Sequence, residues 1–319
     1  MRILILGGTR FIGKKLASSL LQDGFEVIIS SRRENLNFPQ NQQLIVEREN
    51  LSKVLAENLK FDYVFDFTGY TGAQIAQLPP NLIDAHYIFI STAWINRVTI
   101  HPKEITASNS LSRGLPTASE FNYIKSKIEA EKVANEIFHP GLSILRLPIV
   151  LGESDHHHRL DYYCQRLIQF NRPIIIDEGE NLINIIWVED LISLIRQMLN
   201  VPSAELPSLL DFAPRSSISV RELISDLAYS QGIESEFTNI SHGDVEFALP
   251  TFVRTEPLWR EVPFAPVGTN AWDFLNKSST SWNTVFERTS FSKNFNKLQL
   301  EALIEEGLYL DRKYRSSKD

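Results

Sequence analysis

The chain has 319 residues, enough to bury a large core in one elaborated domain or two coupled ones. Its single cysteine, Cys164, excludes an internal disulfide framework and a cysteine-built metal site. Lysine and arginine number 32 against 39 aspartates and glutamates, a formal charge of -7 that argues against a general nucleic-acid binder. No apolar run approaches the ~18 residues that span a bilayer, and no charged leader with a long apolar stretch opens the chain, so no membrane segment is expected and the cytoplasm is the expected compartment.

The apolar run 3–6 meets Gly7 and Gly8, and from Phe11 apolar residues recur at helical spacing through Ile12, Leu16, Leu20 and Leu21. This pattern predicts a strand, a tight turn and a helix. Glycine serves where backbone turns sharply and approaches a ligand, and the helix that follows aims its unpaired N–H groups and positive dipole end at the turn. A pyrophosphate fits such a place. Gly13 lets the helix pack closely on the strand, as the third glycine of a dinucleotide fingerprint does. A second strand, 25–30, leads to Ser31, Arg32 and Arg33. At that strand end an acid favours a free ribose 2′-hydroxyl and an arginine favours a 2′-phosphate. No acid stands at the strand end itself, Glu34 coming after the arginines, and Arg10 lies in the glycine turn. Guanidinium matches phosphate well, so NADP is expected ahead of NAD.

Residues 44–46 read as a short third strand, 51–59 as a helix, and 63–67 as a largely apolar fourth strand with Thr68 and Gly69 at its carboxyl end, where ligands of open α/β sheets bind. A fifth strand, 87–90, ends in Ser91, Thr92 and Ala93. A polar loop over 99–117 precedes a helix over 119–138, and 142–147 is a sixth strand closed by Pro148. After it the alternation loosens. Helices are expected over 159–170, 188–199 and 220–229, short strands over 173–176, 182–187 and 209–212, an irregular stretch rich in Phe, Trp and Pro over 234–296, and a closing helix over 298–310. The expected fold is α/β, a Rossmann-type doubly wound parallel sheet with a smaller C-terminal substrate-binding lobe. Residues 1–155 would form the NADP-binding domain, with a return to it around 188–215, and 156–319 mainly the lobe.

Tyr123 and Lys127 are four apart on the predicted helix, so both project from one face. A free phenol titrates near ~10, and an adjacent ammonium favours the phenolate and lowers that value. Lys127 would also suit ribose hydroxyls. Thr92, at the carboxyl end of the fifth strand, offers a hydroxyl to a substrate oxygen and to Tyr123. Such a set suits hydride transfer, in which a nicotinamide handles the hydride and the phenol handles the proton.

In order along the chain, Gly-Gly-Thr-Arg-Phe-Ile-Gly, Asp-Phe-Thr-Gly, Ile-Ser-Thr-Ala, Tyr-Ile-Lys-Ser-Lys, Arg-Leu-Pro-Ile-Val-Leu-Gly and Ile-Trp-Val-Glu-Asp-Leu resemble the extended short-chain dehydrogenase/reductase family, in its nucleotide-sugar epimerase/dehydratase branch, over residues 1–229. The resemblance implies Thr92, Tyr123 and Lys127 as the catalytic trio, with Tyr123 the acid/base. It implies cofactor contacts from Gly7, Gly8, Thr9, Arg10, Phe11, Ile12 and Gly13, from Ser31 and Arg32, and from Thr68. Val188-Glu189-Asp190 resembles a segment that supports the interlobe region. The chain departs from the family pattern in several places, among them Trp94-Ile95-Asn96 in place of the usual Val-Tyr-Gly and the stretch 234–296, which matches no family pattern. Arg10 replaces the middle glycine, as in atypical subgroups, and the segment 69–86 is shorter than in typical sugar epimerases. Ala93 and Trp94 follow Thr92 where sugar 4,6-dehydratases carry an acidic pair, so dehydration is not expected.

The expected activity is NADP-dependent oxidation or reduction of a secondary alcohol or carbonyl in a small polar substrate, a nucleotide sugar being one candidate, by a monomer or homodimer. An epimerase with tightly held NAD(P) is the nearest alternative, and a non-catalytic cofactor-binding scaffold or RNA-associated regulator is the rival from another class. Asp155-His156-His157-His158 reads as a solvated or substrate-facing loop, because consecutive histidines do not easily converge on one ion, and no metal is expected. Arg254, Trp259, Arg260 and Trp272 mix guanidinium and indole in the lobe, a set that suits a phosphate or a base as well as ordinary packing.

Overall fold

The computed structural model describes residues 1–55, 59–96, 118–214, 216–234, 236–241, 267–288, 301, 304 and 305. The predicted loop 99–117, Arg254, Trp259, Arg260 and most of the predicted closing helix lie outside them.

The strands, in chain order, are β1 (Arg2–Leu6), β2 (Glu26–Ser31), β3 (Gln43–Ile45), β4 (Tyr63–Asp66), β5 (His86–Thr92), β6 (Leu142–Leu147), β7 (Ile149–Leu151), β8 (Ile174–Ile176), β9 (Leu182–Ile183), β10 (Ile185–Trp187), β11 (Leu209–Asp211), β12 (Ile218–Ser219), β13 (Thr238–Ile240) and β14 (Thr269–Asn270). The helices are α1 (Phe11–Gln22), α2 (Leu51–Val54), α3 (Gly72–Ala76), α4 (Ala118–Phe138), α5 (Arg159–Phe170), α6 (Val188–Met198), α7 (Val220–Ser230), α8 (Ala271–Phe274) and α9 (Trp282–Arg288). An eight-stranded sheet runs in the order β14-β11-β6-β5-β4-β1-β2-β3. Every pairing in it is parallel, for example Ile5 beside Ile29 on one side and Phe65 on the other. The order reverses between β1 and β4, which opens a crevice at their carboxyl ends.

Because side chains alternate across a strand, Ile3 and Ile5 face one layer while Leu4 and Leu6 face the other. The first layer buries Leu16, Ala17 and Leu20 of α1 with Leu191, Leu194 and Ile195 of α6. The second buries Ile75 of α3 with Ala130, Ala134 and Phe138 of α4. A further core gathers α5, α7 and α9 around Tyr162, Leu223, Ile224 and Phe286. The short β7–β10 ladder stands between two of these cores: Val150 and Ile186 point into the sheet's core, whereas Ile149, Leu151, Ile185 and Trp187 point into the other.

The sheet and its lobe match the expected architecture, with local corrections. Of the helix expected over 51–59, the described residues form a single turn, because Leu55 turns to extended backbone and drops its side chain into the core. The stretch expected to be irregular, 234–296, carries regular elements: β13 pairs with β8, α8 and α9 form, and β14 adds a strand to the sheet edge beside β11, where the adjoining Trp272 is buried with its indole N–H donating to the Phe212 carbonyl at 3.2 Å. Among the described residues no helix is long and apolar enough to cross a membrane.

Candidate active site

Gly7 leaves β1 with φ +90°, a conformation that favours glycine, and a Cβ there would lie 2.6 Å from Thr68 Cγ2. The turn is therefore pressed against the end of β4. A Cβ on Gly13 would lie 2.5 Å from the Gly7 carbonyl oxygen, so the first turn of α1 packs on the glycine turn with no room for a side chain. Arg10 precedes α1 without capping it, and no acid occupies the first turn, which leaves the helix end open to an anion. Phe11 adopts φ 35°, a left-handed value carried here by a non-glycine residue. Asn35 Nδ2 donates to the Thr9 carbonyl at 3.1 Å and ties the loop after β2 to the same turn. Arg10, Arg32 and Arg33 are exposed and form no ion pair among the described residues, while Ser31 Oγ donates to the Arg33 carbonyl at 2.7 Å. This half of the site fits a dinucleotide diphosphate.

Thr68 is committed to protein partners. Its hydroxyl accepts from Arg48 Nη1 at 2.8 Å and donates to Asp66 Oδ1 at 3.2 Å. Asp66 is fully buried and also accepts from the Tyr87 hydroxyl at 2.5 Å and the Thr68 N–H at 2.8 Å. Burial alone would raise the Asp66 carboxyl, but the Arg48 charge and these hydrogen bonds bring it below its ordinary value.

The three residues of the predicted trio converge. Thr92 ends β5, buried, and its hydroxyl accepts from the Trp94 N–H at 3.3 Å. Tyr123, on α4, is turned toward Thr92. The residue is 37 % exposed, yet its phenol is pushed up to about 12, chiefly by desolvation and then by Tyr70, against the opposing influence of the Thr92 side chain. Lys127 lies one turn further along, 3 % exposed, with Nζ donating to the Gly69 and Ile90 carbonyls at 2.8 Å each. The expected lowering of the phenol by its lysine neighbour is thus not what this arrangement does: the ammonium is turned inward onto main-chain oxygens, and desolvation governs the phenol. Desolvation also pulls Lys127 itself down to about 8, against the Asp66 and Glu131 charges.

A second buried network holds α4 over β5. Arg146 Nε and Nη2 donate to the two oxygens of Glu131 at 3.0 and 2.6 Å, and its Nη1 donates to Asn96 Oδ1 at 2.8 Å. Asn96 in turn donates to Asp211, and Ser91 Oγ donates to Glu131 Oε1 at 2.6 Å. Strands β5, β6 and β11 are thereby locked to the helix that carries Tyr123. Neither this network nor the one at Asp66 was foreseen. The available signals were an aspartate in an otherwise apolar strand and an arginine at the end of another.

Elsewhere, Asp155 accepts from Arg159 Nη1 at 2.9 Å and from the His157 N–H at 3.1 Å, and His158 Nδ1 lies 3.1 Å from Asp161. Among the described residues no cluster of histidine, cysteine or carboxylates is arranged to hold a metal ion. Glu189 pairs with Lys15 of α1, and Asp190 accepts from the Thr280 N–H and hydroxyl at 2.9 and 2.7 Å, so this segment braces neighbouring elements. A cavity of ≈ 370 Å³ beside it is lined by Trp187, Trp272, Trp282, Glu222 and Asp226 among others; Trp272 is the one described member of the predicted guanidinium–indole set, and none of the predicted catalytic or cofactor-binding residues lines it.

A glycine turn beside the switch point of a parallel sheet is the arrangement of a dinucleotide-binding fold. The chain belongs to the NAD dependent epimerase/dehydratase family, whose model matches residues 3–208. Among curated protein sequences none matches it. Solved structures of like fold include UDP-N-acetylglucosamine 4-epimerase from Bacillus cereus, 16% identical, with 96% of this chain and 99% of that one covered and a TM-score of 0.60. Another is dTDP-glucose 4,6-dehydratase from Bacillus anthracis in complex with NAD, 13% identical, covering 95% and 99%, TM-score 0.66. A third, the NAD dependent NDP-hexosamine 5,6-dehydratase TunA of tunicamycin biosynthesis, is 19% identical over 98% of both chains, TM-score 0.58. At such identities the likeness is one of fold.

Proposed function

We propose that the protein is an oxidoreductase acting on a secondary alcohol or carbonyl of a small polar, nucleotide-linked sugar, with NADP preferred to NAD and reduction as the net direction. The observation that carries this reading is the convergence of Tyr123 with Thr92 at the end of β5, beside the buried Lys127 whose Nζ is fixed on the Gly69 and Ile90 carbonyls. When bound, the nicotinamide supplies the hydride. Tyr123, protonated at neutral pH as phenols ordinarily are, gives its proton to the carbonyl oxygen, and the Thr92 hydroxyl donates a hydrogen bond to the same atom. Lys127 is the group for the ribose hydroxyls. Gly7 to Gly13 and the α1 amino end take the diphosphate, with Thr68 at the crevice wall, and Arg10, Ser31 and Arg32 surround the 2′-phosphate. Ala93 and Trp94 offer no carboxyl group next to Thr92, so elimination of water is not part of the proposal.

Epimerisation with retained NAD is the second reading, favoured by family membership and by the fold shared with a UDP-N-acetylglucosamine 4-epimerase. Incubation with nucleotide sugars separates the two: stoichiometric loss of NADPH supports the reductase, and turnover with no net cofactor change supports the epimerase. In either case Tyr123→Phe should lose ~10²–10⁴-fold in turnover while its cofactor affinity stays as in the wild type. Undiminished turnover would remove Tyr123 from its role and leave the cofactor-binding scaffold as the better description.

A further inference from the structure

Among the described residues, four groups stand around the Lys127 ammonium. Two of its three N–H donors go to the Gly69 and Ile90 carbonyls, at 2.8 Å each. Its Nζ also lies 4.7 Å from the centroid of the Phe89 ring and 5.1 Å from that of Tyr70. Three of these four neighbours are fixed, two being main-chain oxygens and the third a ring with 0% exposure inside β5. Tyr70 differs: 49% of it is exposed.

The Tyr70 backbone is nonetheless anchored. Its N–H donates to Gln74 Oε1 at 2.8 Å, and Gln74 closes the capping box with Thr71 at the start of α3. That helix is wedged against α4, where a Cβ on Gly72 would lie 2.9 Å from Val133 Cγ2. A pinned backbone with a half-exposed side chain makes rotation of Tyr70 the cheap movement among these four neighbours.

We propose that Tyr70 is a positioning residue of the cofactor site: its ring covers the Lys127 ammonium and swings aside before that ammonium meets a ribose hydroxyl. The proposal rests on the reading of Lys127 as a cofactor-binding group and adds the competitor that the cofactor displaces. A contact present in the free protein and lost in the complex weakens binding by its own worth. Removing the ring removes that competition, so Tyr70→Ala should bind NADH or NADPH several-fold to ~30-fold more tightly, the upper figure corresponding to the ~2 kcal/mol of a desolvated cation–π contact. Tyr70→Phe keeps the ring and should bind as the wild type does.

The test is a fluorescence titration of the full chain with NADH and with NADPH, on wild type, Tyr70→Ala, Tyr70→Phe and Lys127→Met. Tighter binding in Tyr70→Ala together with weaker binding in Lys127→Met is the expected result. If Lys127→Met weakens binding while Tyr70→Ala does not tighten it, the cover is overturned and the role of Lys127 stands. If Lys127→Met binds as the wild type does, the reading of Lys127 fails and the cover with it. A second measurement needs no cofactor: with an amine-acetylating reagent and peptide mass mapping, Lys127 should be modified faster in Tyr70→Ala than in the wild type, and equal rates overturn the cover.

Discussion

Arg48 grips Asp66 through two parallel hydrogen bonds, Nη1 to Oδ1 at 2.9 Å and Nη2 to Oδ2 at 2.6 Å, joining the segment after β3 to the end of β4 beside the glycine turn. The carboxylate has 0% exposure and the guanidinium little. Arg48→Met would strand a buried charge and should cost ~3–5 kcal/mol at neutral pH. The sign of the pH dependence follows from the depressed Asp66 value. The stabilisation is whole above the unfolded value near ~3.9 and fades as pH falls through the lower folded one. Urea denaturation at pH 7 and below pH 4 should show the gap between wild type and variant narrowing in acid.

Lys127 gives the opposite window. Its folded value of about 8 lies below the ordinary ~10.4 of an unfolded lysine, so between those values the unfolded chain binds more protons and stability rises with pH. From pH 7.5 to 9.5 the wild type should gain ~2 kcal/mol relative to Lys127→Met, read from urea midpoints of both proteins. Parallel curves for the two would mean that the amine is solvated.

Gly13→Ala tests the packing of the first helix on the turn. The new Cβ would meet the Gly7 carbonyl oxygen at 2.5 Å and Gly8 Cα at 3.1 Å, both backbone atoms that cannot rotate away. The cost should be ~1–3 kcal/mol, seen as a lower Tm, and cofactor affinity should fall with it. An unaltered Tm would show that the helix shifts freely.

On the proposed reading the exposed arginines select the cofactor. Loss of a hydrogen bond to a charged group is worth ~1.5–3 kcal/mol, so Arg10→Ala combined with Arg32→Ala should lower NADPH affinity by roughly 10-fold or more and leave NADH affinity as it was. Equal losses for both cofactors would contradict a role in reading the 2′-phosphate.

The alternation of apolar runs and helical spacings made the doubly wound sheet legible, since each buried parallel strand announces itself by composition. The Tyr123–Lys127 spacing and the strand-end Thr92 were legible for the same local reason. What escaped was set by distance in sequence. Arg48 meets Asp66 18 residues away, and Lys127 meets Gly69 58 residues away, pairings that no window of the chain displays. Tyr70 was passed over because a tyrosine after a small-residue turn looks like any surface aromatic until the helix beneath it is in place. β14 was missed for another reason: two residues at a sheet edge carry too little periodicity to be recognised.

The β7–β10 ladder is a party wall, three residues long on each side, whose alternate side chains belong to different neighbours. Among the described residues neither neighbour can loosen its share without opening a gap in the other, so the two cores should come apart together. A single cooperative melt is the consequence, and a truncation of Ile186 to alanine should lower that one transition instead of splitting it in two.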